Sequence, residues 1–250
     1  MRISSSLMLA MITDLSKDPL GQALLDYHSG KELLPLIAHC DIADDDEIPI
    51  AQFFRTHTQM PQLEQAALQY CRGKILDIGA GAGSHSLILQ AMGLEVTAMD
   101  ISPGAVAVMR GRGLKRVFHA DIFNWKAAPF DTLLLMMNGI GLVGDLKGLD
   151  IFLLKAQGLI ATDGQILLDS SDLSYLYAKQ TGVMMVDNQA PFWGEAHFSM
   201  KYGHIRGAKF KWLYLDFSLL QAHAHEFGYD CELLFEGKQH DYLASLKLRK

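Results

Sequence analysis

The stretch ILDIGAGAGSHSLIL (residues 75–89) places Gly79, Gly81 and Gly83 between two apolar runs. The run before the glycines is typical of a buried strand, and the run after them predicts a helix that ends at Gly93. In an open α/β sheet, a glycine turn at the carboxyl end of a strand lets the backbone approach a ligand closely and directs a helix N-terminus toward it. The stretch therefore predicts a strand, a ligand-binding turn and a helix.

The rest of the chain repeats this alternation of strands and helices. The predicted strands are KILDIG (74–79), EVTAMD (95–100), RVFHAD (116–121), FDTLLLMM (130–137), QILLDS (165–170), CELLFEG (231–237) and YLASLKLRK (242–250). Parallel strands need crossover helices, so the alternation predicts an α/β fold with a doubly wound seven-stranded sheet. Only KQHD (238–241) joins the last two strands, which is too short for a crossover and predicts an antiparallel last strand.

Two regions fall outside the alternation. Residues 1–15 are predicted to be a disordered extension, and residues 16–73 a helical N-terminal cover for a core at 74–250. Within the core, residues 173–215 are an insertion rich in aromatic residues. Two alternating stretches in it, EAHFSMKYG and FKWLYLD, predict a hairpin after the fifth strand. Such a hairpin serves either as a lid over an acceptor pocket or as ordinary packing at a sheet edge.

Composition narrows the classes of partner. The chain has 250 residues, half of them hydrophobic, and a net charge of −6, which predicts a folded globular protein and argues against nucleic acid or an anionic membrane as partner. Its three cysteines are far apart, and His223 and His225 face different directions on a helix, so we predict no metal site. Since no signal peptide or membrane span is evident, we expect a cytoplasmic protein. The oligomeric state is left open.

The spacing of the glycines separates possible cofactors. A dinucleotide fingerprint is G-x-G-x-x-G, but here the third glycine's place is taken by Ser84, and no G-K-[ST] of a phosphate loop follows. Three acids stand at or near successive strand ends: Asp77, Asp100 and Asp121. A carboxylate in the position of Asp100 can accept hydrogen bonds from both hydroxyls of a ribose. A nicotinamide-dependent oxidoreductase is disfavoured by the missing glycine and stays an alternative.

These motifs resemble the class I, seven-stranded, S-adenosylmethionine-dependent methyltransferases over roughly residues 70–250. The resemblance runs through LDIGAGAG, VTAMDIS, HADIFNW, FDTLLLMMNGIGLVG and LQAHAHEFGYDCELLFEG. The lead-in FFRTHTQMPQLEQAAL and the stretch WLYLD resemble a subgroup of stand-alone bacterial enzymes whose acceptor is unassigned. The resemblance implies a Rossmann-like fold, S-adenosylmethionine as cofactor and S-adenosylhomocysteine as product.

The resemblance also implies roles for residues of the first two strands. Gly79, Ala80 and Gly81 would lie against the methionine moiety and the ribose. Asp77 would help to hold the turn and the amino group of the ligand. Asp100 would bind the ribose hydroxyls.

Further roles fall on the next strand ends. Ile101 would lie against the adenine, Asp121 would contact the adenine amino group, and Ile122 would contact the ring. Asn138 would face the methionine end and the methyl acceptor, although Asn-Gly is equally typical of a simple turn. His85 could border the ligand or lie on the helix surface.

Catalytic residues are not identified, because displacement at a sulfonium methyl needs mostly positioning and desolvation. Base candidates are Glu195, His197, Asp169 and Asp172. Enzymes that methylate amino groups of nucleic-acid bases carry a Pro-Pro-aromatic motif after the fourth strand, whereas this chain has Asn-Gly-Ile-Gly at 138–141. A small-molecule acceptor is therefore the favoured prediction, with a protein side chain second. A non-catalytic protein that binds the same cofactor or its product is the alternative.

Overall fold

The computed structural model describes residues 11–126, 129–174 and 192–250. Its α-helices within these ranges are α1 (Pro19–His28), α2 (Gln62–Tyr70), α3 (Ser84–Ala91), α4 (Pro103–Gly111), α5 (Leu146–Gln157) and α6 (Phe217–Glu226). Its strands are β1 (Leu36–Cys40), β2 (Asp46–Glu47), β3 (Lys74–Ile78), β4 (Glu95–Asp100), β5 (Val117–His119), β6 (Phe130–Leu135), β7 (Ile160–Ser171), β8 (Glu195–Tyr202), β9 (Ile205–Arg206), β10 (Phe210–Leu213), β11 (Tyr229–Glu236) and β12 (Asp241–Leu248). Short 3-10 helices lie at Leu15–Lys17, Ile50–Phe54, His57–Gln59 and Gly139–Val143.

The main sheet has seven strands in the order β11-β12-β7-β6-β3-β4-β5. The pairs from β7 to β5 are parallel, while β12 runs antiparallel to both β7 and β11. This confirms the predicted doubly wound α/β fold, including the antiparallel last strand.

The helices that alternate with these strands begin at capping residues that the sequence shows. The hydroxyl of Ser102 accepts a hydrogen bond from the backbone N–H of Ala105 at 2.9 Å, and Pro103 occupies the first turn of α4. Asp145 caps α5 in the same way, accepting from the N–H of Gly148 at 2.8 Å. These caps explain why the helices begin where the sequence predicted.

The core lies on both faces of the central strand β6. Leu133 and Leu135 face α5 and α6, whereas Leu134 between them faces α2, and all three are 0% exposed. A strand buried on both faces reads as a continuous apolar run, as FDTLLLMM does. Since β6 is the middle strand of the sheet, its carboxyl end lies at the middle of the edge formed by the carboxyl ends of the parallel strands.

A second sheet has the order β10-β8-β1-β2, with β9 paired to β8. The antiparallel pair β8 and β10 is the predicted hairpin. The strand β1, however, comes from residues 16–73, and it pairs with β8 in the register Leu36↔Tyr202. The expectation of a purely helical cover was therefore wrong at β1 and β2, because a short strand whose partner is distant in sequence has no local turn signal.

The N-terminal segment is attached to the main sheet through the carboxylate of Asp18. It caps α1 by accepting from the N–H of Gly21 at 2.8 Å, and it also accepts from the hydroxyl of Ser102 at 2.6 Å and the N–H of Gly104 at 3.2 Å. One buried carboxylate therefore joins the first turns of α1 and α4.

Part of the expected N-terminal extension contacts the core. Residues 1–10 lie outside the described residues, but the N–H of Ile12 donates to the carbonyl of Ile101 at 3.2 Å. This contact is at odds with the prediction that residues 1–15 form a disordered extension.

None of the helices in the described ranges is both long and apolar enough to span a membrane.

Candidate functional site

The glycine loop connects β3 to α3 at the carboxyl edge of the main sheet. Gly79, Gly81 and Gly83 all have left-handed backbone conformations, with φ of 72°, 56° and 78°. The N–H groups of Gly79 and Ala80 both donate to the carbonyl of Met99 at 3.0 Å, which ties the loop to β4. Glycine adopts positive φ without steric cost, so the loop can turn this tightly.

The three glycines have different surroundings. A Cβ atom on Gly83 would lie 2.6 Å from Leu114, so this glycine allows α3 to pack closely. A Cβ on Gly81 would lie 3.5 Å from the ring of Phe53, and one on Gly79 would lie 3.7 Å from Leu142. Phe53 and Leu142 therefore flank the part of the loop where the ligand was expected.

Asp100 ends β4 beside this loop. Its Oδ2 accepts from the N–H of Gly81 at 2.9 Å and its Oδ1 accepts from the N–H of Ser102 at 2.8 Å. Burial raises the pKa of Asp100 to about 6, although these two hydrogen bonds act in the opposite direction. A carboxylate has about four lone-pair sites, so two accepted bonds leave capacity for two hydroxyl donors.

Asp77 lies beneath the loop on β3. Its Oδ2 accepts from the hydroxyl of Ser86 at 2.6 Å, and the side chain is buried. Burial raises the pKa of Asp77, whereas His85 and the hydrogen bonds from Ser86 lower it. The carboxylate thus joins the strand before the loop to the helix after it.

The residues expected around the adenine lie at the ends of β4 and β5. The carbonyl of Ile101 accepts from the ring of His119 at 2.8 Å when Nε2 carries the proton. The carboxylate of Asp121 accepts from the N–H of Phe123 at 2.9 Å and from the amide of Asn124 at 2.8 Å. Ile122 is 3% exposed and belongs to the main core. Asp121 thus holds its own turn, and the side chain of Ile122 packs inward.

Asn138 follows β6 in a left-handed conformation, with φ of 54°. Its Oδ1 accepts from the hydroxyl of Ser171 at 2.9 Å, and the N–H of Gly139 donates to Asp169 at 3.1 Å. Met137 also has a positive φ, of 66°, so two consecutive non-glycine residues adopt a costly conformation. This turn ties the end of β6 to the end of β7.

Asp169 differs from the other base candidates in its surroundings. It is 7% exposed, and burial raises its pKa to about 6, while backbone hydrogen bonds from Asn138 and Gly139 act in the opposite direction. It lies on β7 next to the Asn138 turn. It is therefore the base candidate that the structure brings to the strand ends in a buried position.

The remaining base candidates are engaged elsewhere. Glu195 accepts from the N–H of Leu146 at 3.2 Å, at the start of α5. His197 has a half-exposed side chain and pairs with Asp41 at 2.8 Å. Asp172 accepts from the N–H of Ser174 at 2.8 Å. Tyr175 and Tyr177 of the aromatic insertion lie outside the described residues.

A polar cluster of Arg55, Glu64 and His85, in which Glu64 and His85 are buried and Arg55 is partly exposed, was not predicted from the sequence. Glu64 Oε1 pairs with Arg55 Nη2 at 2.5 Å, and Glu64 Oε2 lies 2.8 Å from His85 Nε2. The side chains of Glu64 and His85 are only 6% and 8% exposed. The position of Glu64 on the apolar face of α2, with Leu63 and Ala67, was the signal that could have revealed it.

The second sheet covers this edge of the main sheet. The indole of Trp212 packs against Gly141, where a Cβ would lie 2.0 Å from Nε1, and Lys211 pairs with Asp145 at 3.0 Å. Met200 of β8 packs in the same cluster as Phe53. The hairpin therefore packs over the turn that follows the carboxyl end of β6.

Comparisons with known proteins place this geometry in a family. The family described as "Methyltransferase domain" matches residues 75–151. Among solved structures, a SAM-dependent methyltransferase from Bacteroides fragilis, in complex with S-adenosyl-L-homocysteine, is 42% identical, with a TM-score of 0.86 over 97% of this chain and 98% of that one. Among curated proteins, none matches significantly.

More distant structures share the fold alone. The PH0226 protein from Pyrococcus horikoshii is 18% identical, with a TM-score of 0.55 over 75% of this chain and 88% of that one. The sugar N-methyltransferase KedS8 from a Streptoalloteichus species is 15% identical, with a TM-score of 0.52 over 75% and 85% of the two chains.

Proposed function

This chain belongs to the S-adenosylmethionine-dependent methyltransferases, and from that premise we propose that it methylates a small molecule at the carboxyl edge of its main sheet. The single observation that carries the location is the pairing of Asp100 with the glycine loop. A buried carboxylate held by the N–H groups of Gly81 and Ser102 stands beside a glycine loop in which Gly79 is exposed.

The residues present fit the cofactor. Gly79 and Gly81 have no Cβ, and the first atoms that one would meet are those of Leu142 and Phe53 at van der Waals distance. Gly79 is exposed, so a ligand can approach the loop backbone at this residue, beside Leu142. Asp100 has unused acceptor sites for the ribose hydroxyls, and Asp77 supports the turn from below.

We propose that the cofactor lies along this edge with its adenine toward β5. Ile101 and Asp121 then border the adenine, while the buried side chain of Ile122 supports that turn from the core. Gly79, Ala80 and Gly81 form the floor beneath the ribose and methionine moiety. Asn138 borders the reacting end, because it follows β6 and is held by Ser171.

When bound, the cofactor supplies a methyl group on a sulfonium that is a good leaving group, so the chain has to position the acceptor and exclude water. The Asn138 turn is kept rigid by Ser171 and by Asp169. Asp169 is the residue proposed to take a proton when the acceptor arrives protonated. Its raised pKa, about 6, is close to neutral pH and suits a base for proton transfer.

Two features support a small acceptor. The hairpin packs on Gly141 through Trp212 and the N-terminal segment packs on Gly81 through Phe53, so the site is covered from both sides. The chain also has a net charge of −6, which disfavours a nucleic-acid acceptor because binding to nucleic-acid phosphates needs clustered cationic side chains.

Thermal unfolding with S-adenosylhomocysteine, and separately with NAD, tests the cofactor site. A ligand at about a hundred times its Kd adds roughly 2.7 kcal/mol, which raises the Tm of a chain of this length by about 5–10 °C. We expect this rise with S-adenosylhomocysteine and none with NAD. A rise with NAD alone would overturn the assignment.

The acceptor class is tested by the formation of S-adenosylhomocysteine from S-adenosylmethionine. Pools of small amines, alcohols and thiols are compared with transfer RNA, DNA and a protein extract from which small molecules have been removed. We expect turnover with a small-molecule pool. Turnover confined to the macromolecular pools would contradict the proposal.

A further inference from the structure

The cluster of Arg55, Glu64 and His85 lies beside the glycine loop. His85 is the second residue of α3, directly after the loop. Two residues before Arg55, the carbonyl of Phe53 accepts from the hydroxyl of Ser84 at 2.6 Å. The segment that carries Arg55 is thus tied to the first turn of α3.

The cluster lies on the side of the loop away from Asp100. In the sheet order, β4 with Asp100 flanks β3 on one side, and β6 and β7 lie on the other. His85 lies close enough to Asp77 and Asp169 to lower the pKa of both carboxyls. If Asp100 binds the ribose and β5 borders the adenine, the amino-acid end of the cofactor extends toward this cluster.

Arg55 has a donor that the described residues leave unpaired. Its Nη2 donates to Glu64, but its Nε is buried without a hydrogen-bond partner in the described part of the chain. An unsatisfied donor on a charged group is costly to bury, so such an atom calls for an acceptor that the described residues do not supply. A carboxylate is the acceptor whose geometry suits a guanidinium.

The amino-acid end of the cofactor has an ammonium and a carboxylate. Asp77 supplies negative charge for the ammonium, but a carboxylate cannot bind the carboxylate of the cofactor. Arg55 supplies the missing positive charge at the same end of the loop. The side chains around this end are therefore complementary to a zwitterion.

We propose that Arg55 binds the carboxylate of the methionine moiety of S-adenosylmethionine. Glu64 is a positioning residue, which holds the guanidinium through Oε1 and is itself held by His85 through Oε2. This inference rests on the proposed function, since it concerns the same cofactor site.

The test compares S-adenosylmethionine with its decarboxylated form, S-adenosyl-methylthiopropylamine, by isothermal titration calorimetry. The two ligands differ only in the carboxylate. Because a hydrogen bond between charged groups contributes more than a neutral one, the wild-type protein should bind the carboxylated ligand about 10- to 100-fold more tightly. In Arg55→Met this ratio should fall to about threefold or less, with little change for the decarboxylated ligand.

Two further variants make the result specific. Arg116→Met removes the same charge from an exposed pair with Glu95, at the opposite edge of the sheet, and should keep the wild-type ratio. Glu64→Gln should lower the ratio partly, because a neutral amide holds the guanidinium less firmly, while binding of the decarboxylated ligand persists. A purely structural role would weaken both ligands alike.

Equal wild-type affinities for the two ligands, or an unchanged ratio in Arg55→Met, would overturn the inference. If Arg55→Met does not fold, Arg55→Gln replaces it, because glutamine keeps a polar side chain but removes the charge, and an unchanged ratio in that variant also overturns the inference. A wild-type protein that binds neither ligand would instead overturn the proposed function.

Discussion

The two sheets of this protein assemble their contacts in different ways. In the seven-stranded sheet, neighbours such as β3 and β4 are joined by a single helix, in the register Asp77↔Ala98. In the covering sheet, β1 pairs with β8, and the N–H of Leu34 donates to the hydroxyl of Tyr202, 168 positions away. The first sheet supplies the proposed cofactor-binding loop and acids, and the second supplies Trp212, which packs over the turn after β6.

This difference separates two kinds of substitution. A change at the carboxyl edge of the main sheet should affect ligand affinity more than stability. A change where the N-terminal segment and covering sheet attach should affect stability more than affinity.

The largest effect is expected for Asp100→Ala. The substitution removes two charge-assisted hydrogen bonds to the ribose, each of about 1.5–3 kcal/mol, so S-adenosylhomocysteine should bind at least about 100-fold more weakly. The folded state should survive, because the carboxylate stands at a strand end. Calorimetric titration gives the affinity and circular dichroism the fold.

Asp230→Ala is the matched control, because the side chain of Asp230 is 73% exposed, near the far edge of the main sheet. It should bind S-adenosylhomocysteine as the wild type does. An Asp100→Ala protein that keeps wild-type affinity would remove the main support for the site.

Gly104→Ala should destabilise the attachment of the N-terminal segment. Its Cβ would lie 2.5 Å from the backbone of Gly21, so α1 and α4 must separate at a cost of about 1–3 kcal/mol. For a chain of this length that lowers the Tm by about 3–10 °C, with less than a fewfold change in ligand affinity.

The control for this change is Gly158→Ala, where the nearest atom to a new Cβ is 3.7 Å away and the backbone is right-handed. Its Tm should stay within a few degrees of the wild type. A large loss of affinity in Gly104→Ala, at unchanged Tm, would show that the two regions are not separable.

The pKa of Asp100 predicts how affinity depends on pH. In the ligand-free protein this pKa is raised from 3.8 to about 6, so the folded state holds the proton more tightly than the unfolded state does. The contribution of Asp100 to the free energy of unfolding therefore falls as pH rises from about 4 to about 6 and is constant above that. Hydroxyl donors of a ligand favour the ionised carboxylate, so binding should weaken below pH 6 by up to about tenfold per pH unit.

Titrations of S-adenosylhomocysteine between pH 5 and 8 test this dependence. Asp100→Asn should bind more weakly than wild type, with a flatter profile below pH 6. Asp169→Asn separates the two carboxylates, because Asp169 has a similarly raised pKa. The attribution to Asp100 fails if Asp100→Asn keeps the full slope and Asp169→Asn loses it.

The smallest effect is expected for His197→Asn in the covering sheet. His197 and Asp41 form a pair whose side chains are both about half exposed, and such a pair contributes at most about 1 kcal/mol. The Tm and the affinity for S-adenosylhomocysteine should change little. A tenfold loss of turnover in this variant, once an acceptor is known, would identify His197 as the base instead of Asp169.

Much of the fold could be predicted because its signals are local. The glycine turn, the proline in the first turn of α4 and the short KQHD link each determine the structure of a few adjacent residues. The strands of the main sheet and its antiparallel end follow from such signals. The proposed cofactor residues are also predictable in outline, since Asp77 lies on a strand and Asp100 ends the next.

The cluster of Arg55, Glu64 and His85 was not predictable in the same way. Each residue is polar and, taken alone, could lie on a helix or loop surface. Only the packing of α2 against the main sheet removes Glu64 from water and brings it within 2.8 Å of His85. Charged groups become informative about a site when burial forces them to pair.

By itself, the sequence determined the strand, turn and helix around Gly79, Gly81 and Gly83, because glycine backbone freedom and apolar periodicity act over a few residues. Only the tertiary structure decided that β1 joins the hairpin and that Arg55 lies beside the glycine loop. Those contacts connect segments distant in the chain, and they form because several elements must bury their apolar faces together, which no local pattern specifies.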